Sequence, residues 1–313
     1  MFKRASVILL FVTVLAFSFV NLTANGKSSN EPNFTANQSQ NSDSLVRFVA
    51  FGDMGTGDKD QLAVARQMAN FYDEHPYDTV LMLGDNIYPD GDPSDLPAKF
   101  ERPYAELLKR GVSFYATLGN HDVRKGRQAQ INYKPFNMGG RSYYSFAKSV
   151  QGKALVEFFA IDSTNFDRDQ LQWLETALAS SKAHWKIAYF HHPIYSSGKT
   201  HGSNGKLRTQ IEPLFVKYGI AVAFSGHDHV YERIKPQQGV QYFVCGIGGK
   251  LRSGNLDKRS SLTAFGNDEV NGFMFVEITP ERMTFQAVDS AGRVFDSGEI
   301  APRTIIRAVG TSR

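Results

Sequence analysis

Val46-Arg47-Phe48-Val49-Ala50-Phe51-Gly52-Asp53-Met54-Gly55 is an apolar run that ends on a glycine and a carboxylate. Val80-Leu81-Met82-Leu83-Gly84-Asp85 repeats that ending, and Phe114-Tyr115-Ala116-Thr117-Leu118-Gly119-Asn120 repeats it with an amide. Short apolar runs bounded by glycine read as buried strands. The glycine lets the chain turn sharply, so each polar side chain projects from a strand end into a shared cleft. Three parallel strands ending in Asp, Asp and Asn would set hard oxygen atoms close together at one sheet edge.

Outward from these runs, the first half alternates strands with helical patterns. Strands are expected at 45–51, 79–83 and 112–118, with Leu62, Ala65, Met68 and Ala69 marking a helix over 60–72. A helix is expected over 96–108, with Pro97 and Pro103 at a start or a break. Strands at 154–161 and 185–190 flank a helix over 169–179, whose apolar face is Leu171, Trp173, Leu174 and Leu178. A helix over 206–218 leads into a strand at 220–224. Beyond Gly226 the pattern changes to short alternating strands at 240–244, 273–278, 283–288 and 293–295. Strand–helix units followed by hairpins imply an α/β fold of two packed mixed β-sheets flanked by helices, not one doubly wound sheet.

Lys3 and Arg4 precede an apolar run from Ala5 to Val20, the layout of a secretory signal occupying residues 1–24. Residues 25–44 are rich in Asn, Ser and Gln and read as a disordered polar linker. A single catalytic domain is expected over 45–300, with 301–313 as a tail. Export to the periplasm or the medium follows; an uncleaved signal acting as a membrane anchor is the alternative. The sole cysteine, Cys245, excludes an intrachain disulfide and reads as a packed thiol at a strand end. The net charge of +4 would favour anionic substrates, but no Lys/Arg cluster argues for nucleic acid.

Two further motifs bring imidazoles: Phe190-His191-His192-Pro193 and Gly226-His227-Asp228-His229. With Asp53, Asp85 and Asn120 they supply oxygen and nitrogen donors suited to Zn or Fe. Two carboxylates brought together repel, so cations are their natural partners.

Read in order, these motifs resemble those of the calcineurin-like metallophosphoesterases, and specifically the small, tartrate-resistant type of purple acid phosphatase. The first motif has Asp53-Met54-Gly55 where most of that superfamily has Asp-X-His. Gly84-Asp85-Asn86-Ile87-Tyr88 instead matches the purple acid phosphatase Gly-Asp-X-X-Tyr pattern. The resemblance runs from about Val46 to Gly249, through Cys245-Gly246-Ile247-Gly248-Gly249. It implies a four-layer α-β-β-α sandwich with Fe(III) held by Asp53, Tyr88, His229 and a bridging Asp85. It further implies a second, divalent ion (Fe, Zn or Mn) held by Asp85, Asn120, His191 and His227.

The implied activity is hydrolysis of small phosphate monoesters by a metal-bound hydroxide. His121 would contact the substrate, Asp122 would orient His121, and His201 would be a second outer histidine, although the loop before it is one residue longer than in the family. His192 reads as surface or supporting, and Asp228 as a loop carboxylate. A monomer is expected, with neither a nucleic-acid partner nor a membrane span after signal cleavage. The alternatives are a phosphodiesterase or nucleotide pyrophosphatase on the same site, or a non-catalytic cell-surface binding protein.

Overall fold

The computed structural model describes residues 45–303, so the expected signal segment, the linker and most of the tail lie outside the described residues. In chain order the first strands are β1 (Val46–Phe51), β2 (Thr79–Met82), β3 (Ser113–Ala116), β4 (Tyr144–Val150), β5 (Lys153–Ala160) and β6 (Trp185–Tyr189). The remainder are β7 (Val222–Ser225), β8 (Tyr231–Ile234), β9 (Gln241–Cys245), β10 (Thr263–Asn267), β11 (Gly272–Ile278), β12 (Met283–Asp289) and β13 (Val294–Ile300). They form two mixed sheets, one in the order β13-β12-β11-β1-β2-β3 and one in the order β10-β8-β9-β7-β6-β5-β4.

Strands β1, β2 and β3 run parallel, as do β5, β6, β7 and β9. The two sheets pack face to face through aromatic side chains. Phe48 of the first meets Phe158 edge-on at 5.1 Å and Phe224 at 5.9 Å, both from the second. Burying each such ring contributes roughly 2–3 kcal/mol.

Helices cover the outer faces. α1 (Lys59–Glu74) starts where the Asp58 carboxylate accepts from the amides of Asp60 and Gln61, and buries Val64 and Met68 in the core that includes the first sheet. After the short α2 (Ala105–Lys109) and α3 (Arg127–Asn132), α4 (Arg168–Ser180) and α5 (Gly205–Tyr218) start at Asp167 and Asn204 in the same way. They cover the second sheet with Leu174, Leu178, Ile211 and Phe215. The result is the expected arrangement of two mixed sheets between helices.

The break allowed for at Pro103 is present, and three further strands were not foreseen. The helix expected over 96–108 is split into a π turn at Pro97–Glu101 and a short α2 (Ala105–Lys109), because Pro103 has no amide to continue the ladder. β4 alternates half-buried and exposed residues at a sheet edge, so its sequence carries only a faint apolar signal. β8 and β10 are short and half polar, Tyr231-Glu232-Arg233-Ile234 and Thr263–Asn267, and were not anticipated either. The tail does not leave the body at once: the Arg303 guanidinium donates to the carbonyls of Phe215, Ile220 and Gln238.

Candidate metal centre

The parallel strands of both sheets end at one cleft, the place where open α/β sheets bind ligands. Asp53, Asp85 and Asn120 follow β1, β2 and β3; His191 follows β6, and His227 and His229 follow β7. Backbone bonds join the two sets of strand ends: the Gly52 amide donates to Cys245 (2.8 Å), and the Gly248 amide donates to Gly52 (2.9 Å).

The local backbone is bent to serve these side chains. Asp53, Asp85 and His227 sit at φ +57°, +53° and +72°. Left-handed conformations at non-glycine residues cost of order 1–3 kcal/mol each and persist only where the surroundings enforce them. Two glycines make room. A Cβ on Gly119 would lie 2.2 Å from the amide nitrogen and Oδ1 of Asp85, and one on Gly226 would lie 2.5 Å from Asp53 Oδ2.

All seven candidate ligands converge, in two groups. In the inner group Tyr88 Oη lies 3.1 Å from Asp53 Oδ1 and 3.3 Å from His229 Nε2, which is itself 3.4 Å from Asp53 Oδ1. In the outer group His191 Nε2 lies 3.1 Å from Asn120 Oδ1, 3.2 Å from His227 Nδ1 and 3.5 Å from Asp85 Oδ1. Asp85 stands between them, its negative charge felt by the Tyr88 phenol on one side and its Oδ1 beside His191 on the other. The His227 amide donates to Asp53 Oδ2 at 2.8 Å, which ties the second sheet's loop to the first sheet's carboxylate.

This donor set fits metal cations. Asp53 and Asp85 are fully buried, and among the described residues neither pairs with a Lys or Arg. The Leu83 carbonyl can only accept, so at 2.9 Å it holds a proton on His191 Nδ1 and leaves the Nε2 lone pair facing the oxygens of Asp85 and Asn120. Such crowding of electron-rich atoms is relieved by a cation, and a carbonyl-anchored imidazole is the usual form of a metal-bound histidine.

The protein's own charges point the same way. Burial and the carboxylates of Asp53 and Asp85 push the Tyr88 phenol well above its ordinary range, a direction that a bound cation reverses. Burial works against the charge on Asp53, yet the His229 hydrogen bond and the nearby His191 and His229 hold its carboxyl below the usual range. Burial, together with the neighbouring imidazoles, lowers His227, keeping it neutral.

His121 and His201 flank the pair of groups. The Pro89 carbonyl accepts from His121 Nδ1, leaving Nε2, 4.0 Å from Asp85 Oδ2, to face the cleft. His201 is exposed, with its ring 4.1 Å from that of His227, so the longer loop still delivers it to the rim. Asp228 holds that loop, accepting from Ser196 Oγ at 2.6 Å and from the amides of His201 and Gly202.

The role expected of Asp122 is corrected. It accepts from the amides of Asn86, Ile87 and Gly119 and from Gln130 Nε2, and it makes no hydrogen bond to His121. Burial and the Asp85 charge raise its carboxyl to about 7. It ties the β2 and β3 loops together, and the Pro89 carbonyl orients His121. The basic loop residues are committed as well: Lys125 pairs with Asp90 at 2.6 Å, and Arg127 pairs with the buried Asp162.

Two residues carried no forecast of a place here. Lys250, directly after the glycine-rich strand end, puts Nζ 4.6 Å from the centre of the Tyr88 ring, beside a cleft of about 600 Å³. Ser163 bonds His192. It lies in the turn after β5 beside Asp162, a carboxylate after an apolar run but without the glycine that marked Asp53 and Asp85.

Residues 46–231 match the family described as calcineurin-like phosphoesterase. The chain belongs to that family. It is a metal-dependent phosphoesterase fold with candidate ligands for metal in place. Among curated relatives, mouse tartrate-resistant acid phosphatase type 5 is 29% identical over 288 residues, covering 79% of this chain and 88% of its own. Among solved structures, the purple acid phosphatase PPD1 of yellow lupin (Lupinus luteus) superposes with a TM-score of 0.68 at 21% identity, covering 82% of this chain and 54% of its own. GAP50, described as the anchor in the inner membrane complex of Plasmodium, superposes with a TM-score of 0.72 at 22% identity, covering 83% of this chain and 90% of its own. At those identities the two structures speak for the fold alone.

Proposed function

We propose that this phosphatase is an exported acid phosphatase with a dinuclear centre, hydrolysing small phosphate monoesters. The observation that carries the reading is the phenol of Tyr88 set among Asp53, Asp85 and His229. Phenolate and carboxylate oxygens suit Fe(III), whereas the outer set of Asp85, Asn120, His191 and His227 suits a divalent Fe, Zn or Mn ion. When bound, the two ions neutralise charge on the phosphoryl oxygens and make water acidic enough to attack phosphorus at moderate pH.

The chain's own residues do the rest. Asp85 holds the two halves at a fixed spacing, and Leu83 fixes the ring of His191. Pro89 keeps a proton on His121 Nδ1, so Nε2 is the atom that exchanges a proton with the departing oxygen. His201 closes the opposite side of the cleft against His227. Lys250 adds positive charge over Tyr88, which favours an anionic substrate.

The proposed domain plan is a cleaved signal at 1–24, a linker at 25–44, one catalytic domain at 45–300 and a short tail, working as a monomer. No helix among the described residues is long and apolar enough to cross a membrane.

Tyr88→Phe tests the reading. Purified wild-type protein is expected to absorb visible light through the phenolate–Fe(III) pair, and the variant to lose that band. A colourless wild type carrying two metals per chain would overturn the Fe(III)–Tyr88 assignment. Comparing turnover of p-nitrophenyl phosphate with its bis ester separates a monoesterase from a diesterase.

A further inference from the structure

His227 is held differently from the other histidine of the outer group. A carbonyl anchors His191 through Nδ1, but among the described residues nothing hydrogen-bonds Nε2 of His227. Besides its fellow candidate ligand His191, at 4.9 Å between ring centres, its ring is flanked by two imidazoles, His192 at 4.4 Å and His201 at 4.1 Å. The two flanks are unequal. His201 is exposed, and among the described residues its hydrogen bond is the one from its backbone amide to Asp228. His192 is doubly fixed by one hydroxyl: Ser163 Oγ accepts from its backbone amide at 2.9 Å and bonds its Nδ1 at 2.9 Å.

Ser163 is itself immobilised. It sits in the turn after β5, where the buried Asp162 accepts from Arg127 and from the amide of Thr164, and Arg127 Nη1 bonds Thr164 Oγ1 at 3.0 Å. Gln170 of α4 accepts from the Asp162 amide at 2.8 Å. A continuous set of contacts therefore runs from α4, through the turn at 162–164, to the face of His227.

We propose that His192, anchored by Ser163, is a positioning residue for the outer ion: its ring is the wall that fixes the orientation of His227 in place of a hydrogen bond. The inference rests on His227 being a ligand of that ion. An imidazole without an outer hydrogen bond is free to rotate about two side-chain torsions, and the flanking ring removes that freedom before the ion arrives. Outer contacts of this kind change metal affinity roughly 10–100-fold.

Full-length holoprotein dialysed against zinc-buffered chelator, with metals counted by mass spectrometry, gives the test. Wild type is expected to retain two ions per chain. His192→Ala should weaken the second ion about ten-fold or more and leave the first unchanged, and Ser163→Ala should weaken it by a smaller factor. His192→Phe, which keeps a flat ring without nitrogen, should restore retention to within roughly three-fold of wild type. Melting curves establish that each variant is folded; should His192→Ala not fold, Ser163→Ala and His192→Phe carry the comparison.

If wild type keeps two ions and a folded His192→Ala keeps the second as tightly, the positioning role is wrong and the dinuclear reading stands. If His192→Phe loses the ion as fully as His192→Ala, His192 acts through its nitrogen. That outcome also overturns the proposal, because the ligand atoms of His191, His192 and His227 lie within 4.8 Å of one another. A wild type that holds fewer than two ions overturns the dinuclear reading and the proposal with it.

Discussion

The two halves of the centre are built on different principles. Asp53, Tyr88 and His229 are 0%, 4% and 8% exposed and hydrogen-bond one another inside the joint between the two sheets. Asn120 and His227 are half-buried, and of the outer group His191 and the shared Asp85 are sealed away from solvent. Both halves have mutual hydrogen bonds, but the inner half is sealed by packing, whereas the outer half leans on ring contacts and one carbonyl beside the His191 contacts to Asn120 and His227. An ion entering the inner half would have to shed more water, and one leaving it would have to disturb more of the fold. An outer ion would sit nearer the solvent and should exchange more readily.

The largest expected effect comes from removing what the two halves share. Asp85→Ala takes a carboxylate from both, and kcat/KM should fall roughly 10³-fold or more, the loss of several kcal/mol of charge stabilisation. A fall of less than ten-fold would mean that Asp85 does not join them. Next, His121→Ala should lower kcat on the order of 10²-fold with both metals retained, since it removes proton transfer and leaves the donor set intact. Loss of metal in that variant would show His121 to be part of the centre itself. Smallest is the contrast in retention: a mild chelator should strip the outer ion first, with affinities differing by roughly ten-fold or more. Simultaneous loss of both ions in a metal-content time course would erase the distinction between the halves.

Much of this was readable beforehand, for a definite reason. Asp53, Asp85 and Asn120 each end an apolar run with a glycine before them, and β1, β2 and β3 deliver them to one sheet edge as that pattern requires. Strand register then leaves little freedom for where the side chains emerge. Tyr88 was legible through the resemblance of Gly84-Asp85-Asn86-Ile87-Tyr88 to a purple acid phosphatase motif, and its oxygen does reach Asp53. Asp122 misled because adjacency in sequence suggested a partner in His121. The turn at 119–122 instead aims its carboxylate back at the amides of Asn86, Ile87 and Gly119. Lys125 and Arg127, near neighbours in a basic stretch, are each committed to a carboxylate, Asp90 and Asp162. Neither pairing could be found without knowing which loops pass each other.

Hydrophobic period and glycine-bounded strand ends by themselves determined the α/β architecture, the cleft and the chemical type of each donor, because those depend on local periodicity and residue identity. The tertiary structure alone decided how donors divide into two groups, which carbonyl orients His121 and how His192 comes to lie against His227. These follow from contacts between segments far apart in the chain: Asp53 with the His227 amide, Pro89 with His121, and Ser163 with His192. Distances of that kind are set by how two sheets dock, and no spacing along a single chain encodes them directly.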